Sequence, residues 1–444
     1  VVNPHRYLID GPLTESDAYL NGAWRTLLVG TLGAGGRTIF ALDVTPDKKL
    51  DQTAPMWEVS EANDPDFGYM MSRAQVGLLP GGKGWKVFVG NGPYSDKGHA
   101  VLMMIDLVTG SIEKVDVSAA NETGNALGGV QLVKDSNQQV TTIYAGDLQG
   151  RMWRFDVNPS SGAVSVGLGG QPLFQTPSVK VNSINVPQPI TAPPSIAAHP
   201  LGGYMVLFGT GKLYDETDPS DTSMQGLYGV WDAPANLTSG QNNANLSRAD
   251  LVEQKIITPA IATNTNGQSY FDMDLHDVNY KEKHGWFVDL TLEPGQRQIY
   301  ASTLLDSTQA GAFVLVPTAV PPHAKDTPTC DAIKGMAYTF LLNVLMDGSY
   351  TKTQLIDTNG DGAVNNKDLP ASVYSSPLDG PGALTKKDVS DPVGGGETTK
   401  ACSTSANHYT DNQVSVDQQI DIPLIGACKI RSRIWRQILN PPQP

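Results

Sequence analysis

Between Asp357 and Asp368, oxygen-bearing side chains recur at Asp357, Asn359, Asp361, Asn365 and Asp368, which are positions 1, 3, 5, 9 and 12 around a glycine, Gly362, at position 6. This is the ligand spacing of an EF-hand calcium loop. A hard cation such as Ca²⁺ takes six to eight oxygens at about 2.3–2.6 Å. The run offers three carboxylates, two amide oxygens and the backbone carbonyl of Ala363 at position 7. Gly362 supplies the sharp turn that folds the two halves around an ion. An ordinary polar turn shares the composition, but it does not require all five oxygen positions and the glycine to fall in register. The expectation is therefore calcium ligation by Asp357, Asn359, Asp361, Ala363, Asn365 and Asp368.

Two features depart from the EF-hand. Position 12 is Asp368 where Glu is usual, and the flanks do not read as helices. Ser349 to Ile356 alternates and is rich in β-formers, while Pro370 stops anything beyond a single turn after Asp368. The expected arrangement is an isolated loop hung on a strand, with no paired lobe and no helix-opening switch.

The elements that must carry such a loop are strands. A short aliphatic strand ending in Gly, a turn, and a second strand ending in Asp recur as Leu27–Gly30 with Ile39–Asp43, Val87–Gly90 with Val101–Asp106, Ile143–Asp147 with Met152–Asp156, and Met205–Gly209 with Leu227–Asp232. Further strands precede several copies, as at Arg73–Leu79 and Gly129–Val133. Three or four strands per unit at such a period read as propeller blades, with a β-sandwich meander as the competing arrangement. Degenerate fifth and sixth units are expected at Gly285–Asp289 with Gln298–Ala301 and Gly311–Pro317, and at Gly335–Phe340 with Asn343–Met346. The calcium loop leaves from the sixth. The fold class is all-β, a modified propeller of one domain over residues 1–444, with surface insertions at about 233–268 and 369–418. Within the first, Leu246 to Val252 reads as a short helix; Arg433–Leu439 reads as a closing strand paired with the first blade.

The 444 residues include 45 glycines and 31 prolines, which favours many short elements joined by turns. A formal net charge of −14 argues against nucleic acid as a partner. No apolar run is long enough for a transmembrane helix, and the start lacks a signal-peptide profile and a Met, suggesting a fragment of a longer precursor. Cys330, Cys402 and Cys428 form no C-x-x-C pair. One disulfide is expected, with Cys330 and Cys402 bracketing the calcium segment.

Other chemistry finds little support. Gly33–Gly36 leads into a strand, not a helix N-terminus, and reads as a hairpin turn. The seven histidines stand singly; His276 and His284 fit no zinc signature. The acidic run Asp215–Asp221 lacks the alternate spacing that wraps an ion and reads as a blade loop.

Asp147–Asp156, Phe208–Tyr214, Gln225–Asp232, the single EF-hand-like loop and Ile434–Ile438 together resemble the C-terminal domain of the PilC/PilY family of type IV pilus tip-associated adhesins. The resemblance covers nearly the whole chain. It implies a quinoprotein-like propeller of about seven blades, a location at the cell surface and pilus tip after export through the periplasm, and no enzymatic activity. It also implies minor pilins as partners and calcium-dependent control of pilus extension and retraction, twitching motility and attachment. A host-cell or surface receptor would be met through an N-terminal region that the chain lacks. The family holds calcium through loop positions 1, 3, 5, 7 and 9, here Asp357, Asn359, Asp361, Ala363 and Asn365; Asn365 stands where Asp is frequent, and Asp368 supplies a compensating charge. The blade phrase also resembles pyrroloquinoline-quinone dehydrogenases, the alternative reading. Against it, one local loop provides the calcium ligands and no adjacent-cysteine pair is present.

Overall fold

Strand Gly84–Gly90 shows why the repeated phrases fold as they do. Its apolar run does not alternate: Val87, Phe88 and Val89 are all buried, because the sheet is covered on both faces. Val87 and Val89, with Met103 and Ile105 of the neighbouring strand, pack against the preceding sheet. Phe88, Leu102 and Met104 pack against the following one. In this computed structural model the described residues are 8–45, 54–181, 183–235, 243–264, 267–305, 312–321, 335–348, 356–359, 366–377, 384–386, 407–411 and 418–422.

Three four-stranded antiparallel meanders come first. They comprise Leu13–Leu20, Ala23–Thr31, Thr38–Asp43 and Pro55–Ser60; then Gln75–Leu79, Gly84–Gly90, Val101–Asp106 and Ile112–Asp116; then Leu127–Lys134, Val140–Asp147, Arg151–Val157 and Val164–Val166, where Phe174–Gln175 adds a further pairing. The fourth sheet runs in the order Ser195–Ala198, Tyr204–Gly209, Gly226–Asp232, Gly285–Asp289, Val252–Ile256 and Met273–Asp274. The fifth runs Ala262–Thr263, Ser269–Phe271, Val373–Pro377, Met336–Asn343, Phe313–Val320 and Thr303–Leu305. A hairpin of Ser178–Val181 with Ile184–Pro187 and a three-stranded sheet of Leu384–Lys386, Asn407–Asp411 and Gln418–Ile422 lie apart from these.

Apolar cores fill each gap between consecutive large sheets, one through four with their successors. The leading strands are tied to one another: Thr14 Oγ1 donates to the Ala74 carbonyl at 2.7 Å, Gln75 Nε2 to the Val130 carbonyl at 2.9 Å, and Ser195 Oγ to the Ser302 carbonyl at 3.1 Å. Face-to-face sheets whose first strands meet are blades around an axis, and the all-β propeller expectation holds.

Several expected boundaries do not. Gly285–Asp289 is not the start of a fifth unit but pairs with Gly226–Asp232, Gly226 opposite Asp289, inside the fourth sheet. Gln298–Ala301 is not a strand; Thr303–Leu305 takes that place beside Phe313–Val320. The expected fifth and sixth units share one sheet, since Phe313–Val320 and Met336–Asn343 pair along their full lengths. Leu246–Val252 is not a helix. Ser247 and Asp250 form a reciprocal capping box, but the chain makes one 3-10 turn over Arg248–Asp250 and turns extended at Leu251. Val252–Ile256 then pairs in parallel with Gly285–Asp289, with Leu246, Leu251 and Gln254 buried, so this part of residues 233–268 belongs to the sheet. Likewise Val373–Pro377, inside residues 369–418, pairs between Ser269–Phe271 and Met336–Asn343. The three cysteines and Arg433–Leu439 lie outside the described residues.

Candidate metal centre over the fifth sheet

The two faces of the fifth sheet place the loop. On Phe313–Val320, Val314 and Val316 point towards the fourth sheet, whereas Phe313 and Leu315 point the other way, joined by Leu341 of the neighbouring strand. That second face is covered by Ile356 and Ala371, with Tyr270, Leu305 and Tyr374 around them. Ile356 immediately precedes Asp357, and Ala371 follows Asp368 by three residues. Both ends of the candidate loop are thus seated by apolar contact, at a distance in sequence that no short-range pattern connects.

Above this seat the chain closes on itself. Asp357 and Asp368 are 4% and 3% exposed. Asp368 Oδ1 accepts the backbone N–H of Thr358 at 2.8 Å, that of Asn359 at 3.3 Å and the Thr358 hydroxyl at 3.3 Å. The Leu369 N–H donates to Thr358 Oγ1 at 2.8 Å. After Asp368 the chain makes no helix, which accords with Pro370.

Tyr270 lies fully buried by the two carboxylates. Its hydroxyl donates to Gln268 Oε1 at 2.8 Å and accepts from Asn264 Nδ2 at 3.2 Å. Burial pushes the Tyr270 hydroxyl up to about 12, and the negative charges of Asp357 and Asp368 add to the rise. Two buried carboxylates thus sit at the base of the loop beside Tyr270, and carboxylate oxygens are the ligand type a hard cation takes.

The structure brings Asp357, Asn359 and Asp368 together. Asp361, Ala363 and Asn365 lie outside the described residues. Among the described residues no group of three or more His, Cys, Asp or Glu is placed to hold a metal ion by itself. Counting oxygen ligands at alternate positions missed Thr358, which ties the base, and Tyr270, Ile356 and Ala371, which support it. The apolar residues flanking an otherwise polar run were the available signal for the last two.

The acidic run Asp215–Asp221 has its own neutralisation. Lys212 Nζ bridges Asp215 and Asp218, and Asp218 Oδ2 accepts the N–H groups of Tyr214 and Asp215, both at 2.9 Å. The buried Arg297 guanidinium donates to the carbonyls of Lys212, Asp218, Asp221 and Gly295. This is a clamped blade loop, as its spacing indicated. His276 bonds through Nδ1 with the Glu253 carbonyl, while His284 is buried beside Trp231, so the two serve separate surroundings. Among the described residues no helix is long and apolar enough to cross a membrane.

A family model described as the PilY1 beta-propeller domain matches residues 1–266. The type IV pilus biogenesis factor PilY1 of Pseudomonas aeruginosa strain UCBPP-PA14 is 34% identical over 423 residues, which cover 86% of this chain and 35% of that protein. A PilY1 homolog of Xylella fastidiosa is 31% identical over 408 residues, 84% of this chain and 26% of the homolog. The chain thus spans about a quarter to a third of the length of these curated relatives. The crystal structure of the Pseudomonas aeruginosa PilY1 C-terminal domain superposes with a TM-score of 0.72 at 27% identity, covering 94% of this chain and 85% of that one.

Proposed function

The chain belongs to the PilY1 β-propeller family, and from that premise we propose that it is the calcium-responsive propeller of a type IV pilus biogenesis factor. In this reading it acts at the pilus tip on the cell surface, binds minor pilins, and biases the pilus between extension and retraction, with consequences for twitching and attachment. It is a binding and regulatory module, not an enzyme. The calcium would be held by Asp357, Asn359, Asp361, Ala363, Asn365 and Asp368. The observation that carries the reading is the pair of buried carboxylates, Asp357 and Asp368, closing the base of a run with alternate oxygen spacing.

Without a cation the carboxylates repel one another across a few ångströms; with one they are neutralised and the loop takes a fixed shape. A partner that favours the fixed shape is then linked to calcium by its differential affinity for the two states. Asp361→Ala should abolish calcium binding in calorimetry while circular dichroism stays native, and cells carrying it should lose normal twitching. Asp361→Lys, with an ammonium near the ion's place, should recover part of that motility. Normal twitching in cells whose Asp361→Ala protein binds no calcium would sink the regulatory reading.

A further inference from the structure

In an antiparallel meander the start of the first strand and the end of the second lie at the same end of the sheet. At that end the loops of the second, third and fourth sheets surround a small pocket with chiefly apolar walls. Met71 precedes the second sheet's first strand and Pro93 follows its second; Leu127 and Leu148 hold the same places in the third sheet, and Thr191 and Tyr214 in the fourth. Tyrosines form one side. Tyr69 and Tyr94 meet edge to face with centroids 6.2 Å apart, and Tyr94 and Tyr214 do so at 6.0 Å.

Tyr94 is 55% exposed, so burial does not account for its ring. Its backbone has a φ of 63°, a left-handed conformation that a bulky residue keeps only under constraint. The constraint is local: Arg37 donates to the Tyr94 carbonyl at 3.2 Å and to Asp96 at 2.6 Å, and the Tyr69 N–H donates to the Pro93 carbonyl at 2.8 Å. Glycine would make this turn without strain, so the turn does not account for the ring either. The neighbouring loop sets the charge. Residues 212–221 include Asp215, Glu216, Asp218 and Asp221 against one cation, Lys212. That lysine bridges Asp215 and Asp218 and lies 5.0 Å from the Tyr214 ring centroid, while Glu216, two residues beyond Tyr214, is exposed.

We propose that this end of the propeller docks a partner protein through an aromatic side chain flanked by lysine or arginine. The ring enters the pocket against Tyr69, Tyr94 and Tyr214, and the flanking cations meet the acidic loop. The site uses no residue between Asp357 and Asp368, so it holds whether or not calcium binds.

Short peptides can stand in for the partner: acetyl-Lys-Trp-Lys-amide, with acetyl-Lys-Ala-Lys-amide and acetyl-Glu-Trp-Glu-amide as controls. They are titrated onto the full chain and followed by saturation-transfer NMR, in about 0.1 M salt to screen diffuse attraction to the acidic chain. The first should bind with a Kd on the order of 1 mM, with transfer strongest on the indole, and both controls should bind at least about tenfold more weakly. Tyr94→Gly should weaken the first peptide by about tenfold while its melting temperature stays within about 2 °C of the original, because the lost ring contacts are offset by relief of the strained turn. A larger fall in melting temperature would make the ring a packing element and overturn the proposal. Equal binding of the alanine peptide would reduce the site to charge alone, and equal binding of the glutamate peptide would remove the charge argument; either overturns it. So would unchanged binding by Tyr94→Gly, or no saturable binding of the first peptide up to about 10 mM. None of these outcomes bears on calcium uptake, which the Asp361→Ala titration tests separately.

Discussion

His199 illustrates how far a single residue's role depends on surroundings that sequence does not show. It stands alone in the chain, yet its ring stacks on Trp231 with centroids 4.3 Å apart and meets the edge of Tyr280 at 4.5 Å. The Leu201 N–H donates to Nδ1 at 3.1 Å, which requires the neutral ring to carry its proton on Nε2. Burial lowers its pKa from the ordinary 6.5 to about 4, and the nearby Asp347 offsets only part of that. The folded state therefore binds fewer protons than the unfolded chain between these values. Stability is full above about 6.5 and falls as the pH drops towards 4, by on the order of 3 kcal/mol from this group. His199→Phe preserves the stack without the titration. Its urea midpoint should fall less between pH 7 and pH 5 than that of the original protein; an identical fall would assign the acid sensitivity to other groups. The candidate oxygen positions from Asp357 to Asp368, by contrast, stand out from spacing alone, because that pattern is local in sequence. Thr358 and Tyr270 do not, since their contribution arises from contacts across 10 and about 90 residues.

At the scale of the element, the blade phrase was legible because each strand pair is local, and its Gly and Asp positions mark turns. Gly90 has a further reason to be glycine. A Cβ there would lie 1.9 Å from the Gly128 carbonyl oxygen and 2.5 Å from that of Leu127, backbone atoms of the next blade that cannot rotate aside. Gly90→Ala should force the second and third sheets apart and cost about 1–3 kcal/mol or more, seen as a lower melting temperature with an unchanged strand signal in circular dichroism. A melting temperature equal to that of the original protein would show that the contact relaxes freely. The later blades were misread for the complementary reason. Gly285–Asp289 finds its partner more than 50 residues back, across a segment whose own strand pairs in parallel with its other edge. The capping box at Ser247 is a sound helix-start signal, but burial of Leu251 and the pairing of Val252–Ile256 draw the chain straight after one turn.

Over the whole molecule, the distribution of apolar contacts decides what calcium can stabilise. The cores between the first and second, second and third, third and fourth, and fourth and fifth sheets contain none of the described residues of the loop; Ile356 enters the cluster on the far face of the fifth. Removing the ion should therefore leave the far-UV circular dichroism in EDTA almost unchanged. Calcium at a hundred times its dissociation constant adds about 2.7 kcal/mol to any unfolding step that includes the loop. In calorimetry this should appear as a rise confined to the transition that releases the fifth sheet if the blades melt separately, or as a shift of a few degrees if they melt together. The net charge of −14 gives any divalent ion a diffuse attraction to the chain, so the comparison belongs in at least about 0.1 M salt, where such attraction is screened beyond roughly 10 Å. Magnesium at equal concentration separates the two effects further, because it demands a tight octahedron that a calcium loop does not provide. Cooperative unfolding of all the blades on adding EDTA at room temperature would mean that the loop completes the common core, and the seating of Ile356 on a single face of the fifth sheet would then be wrong.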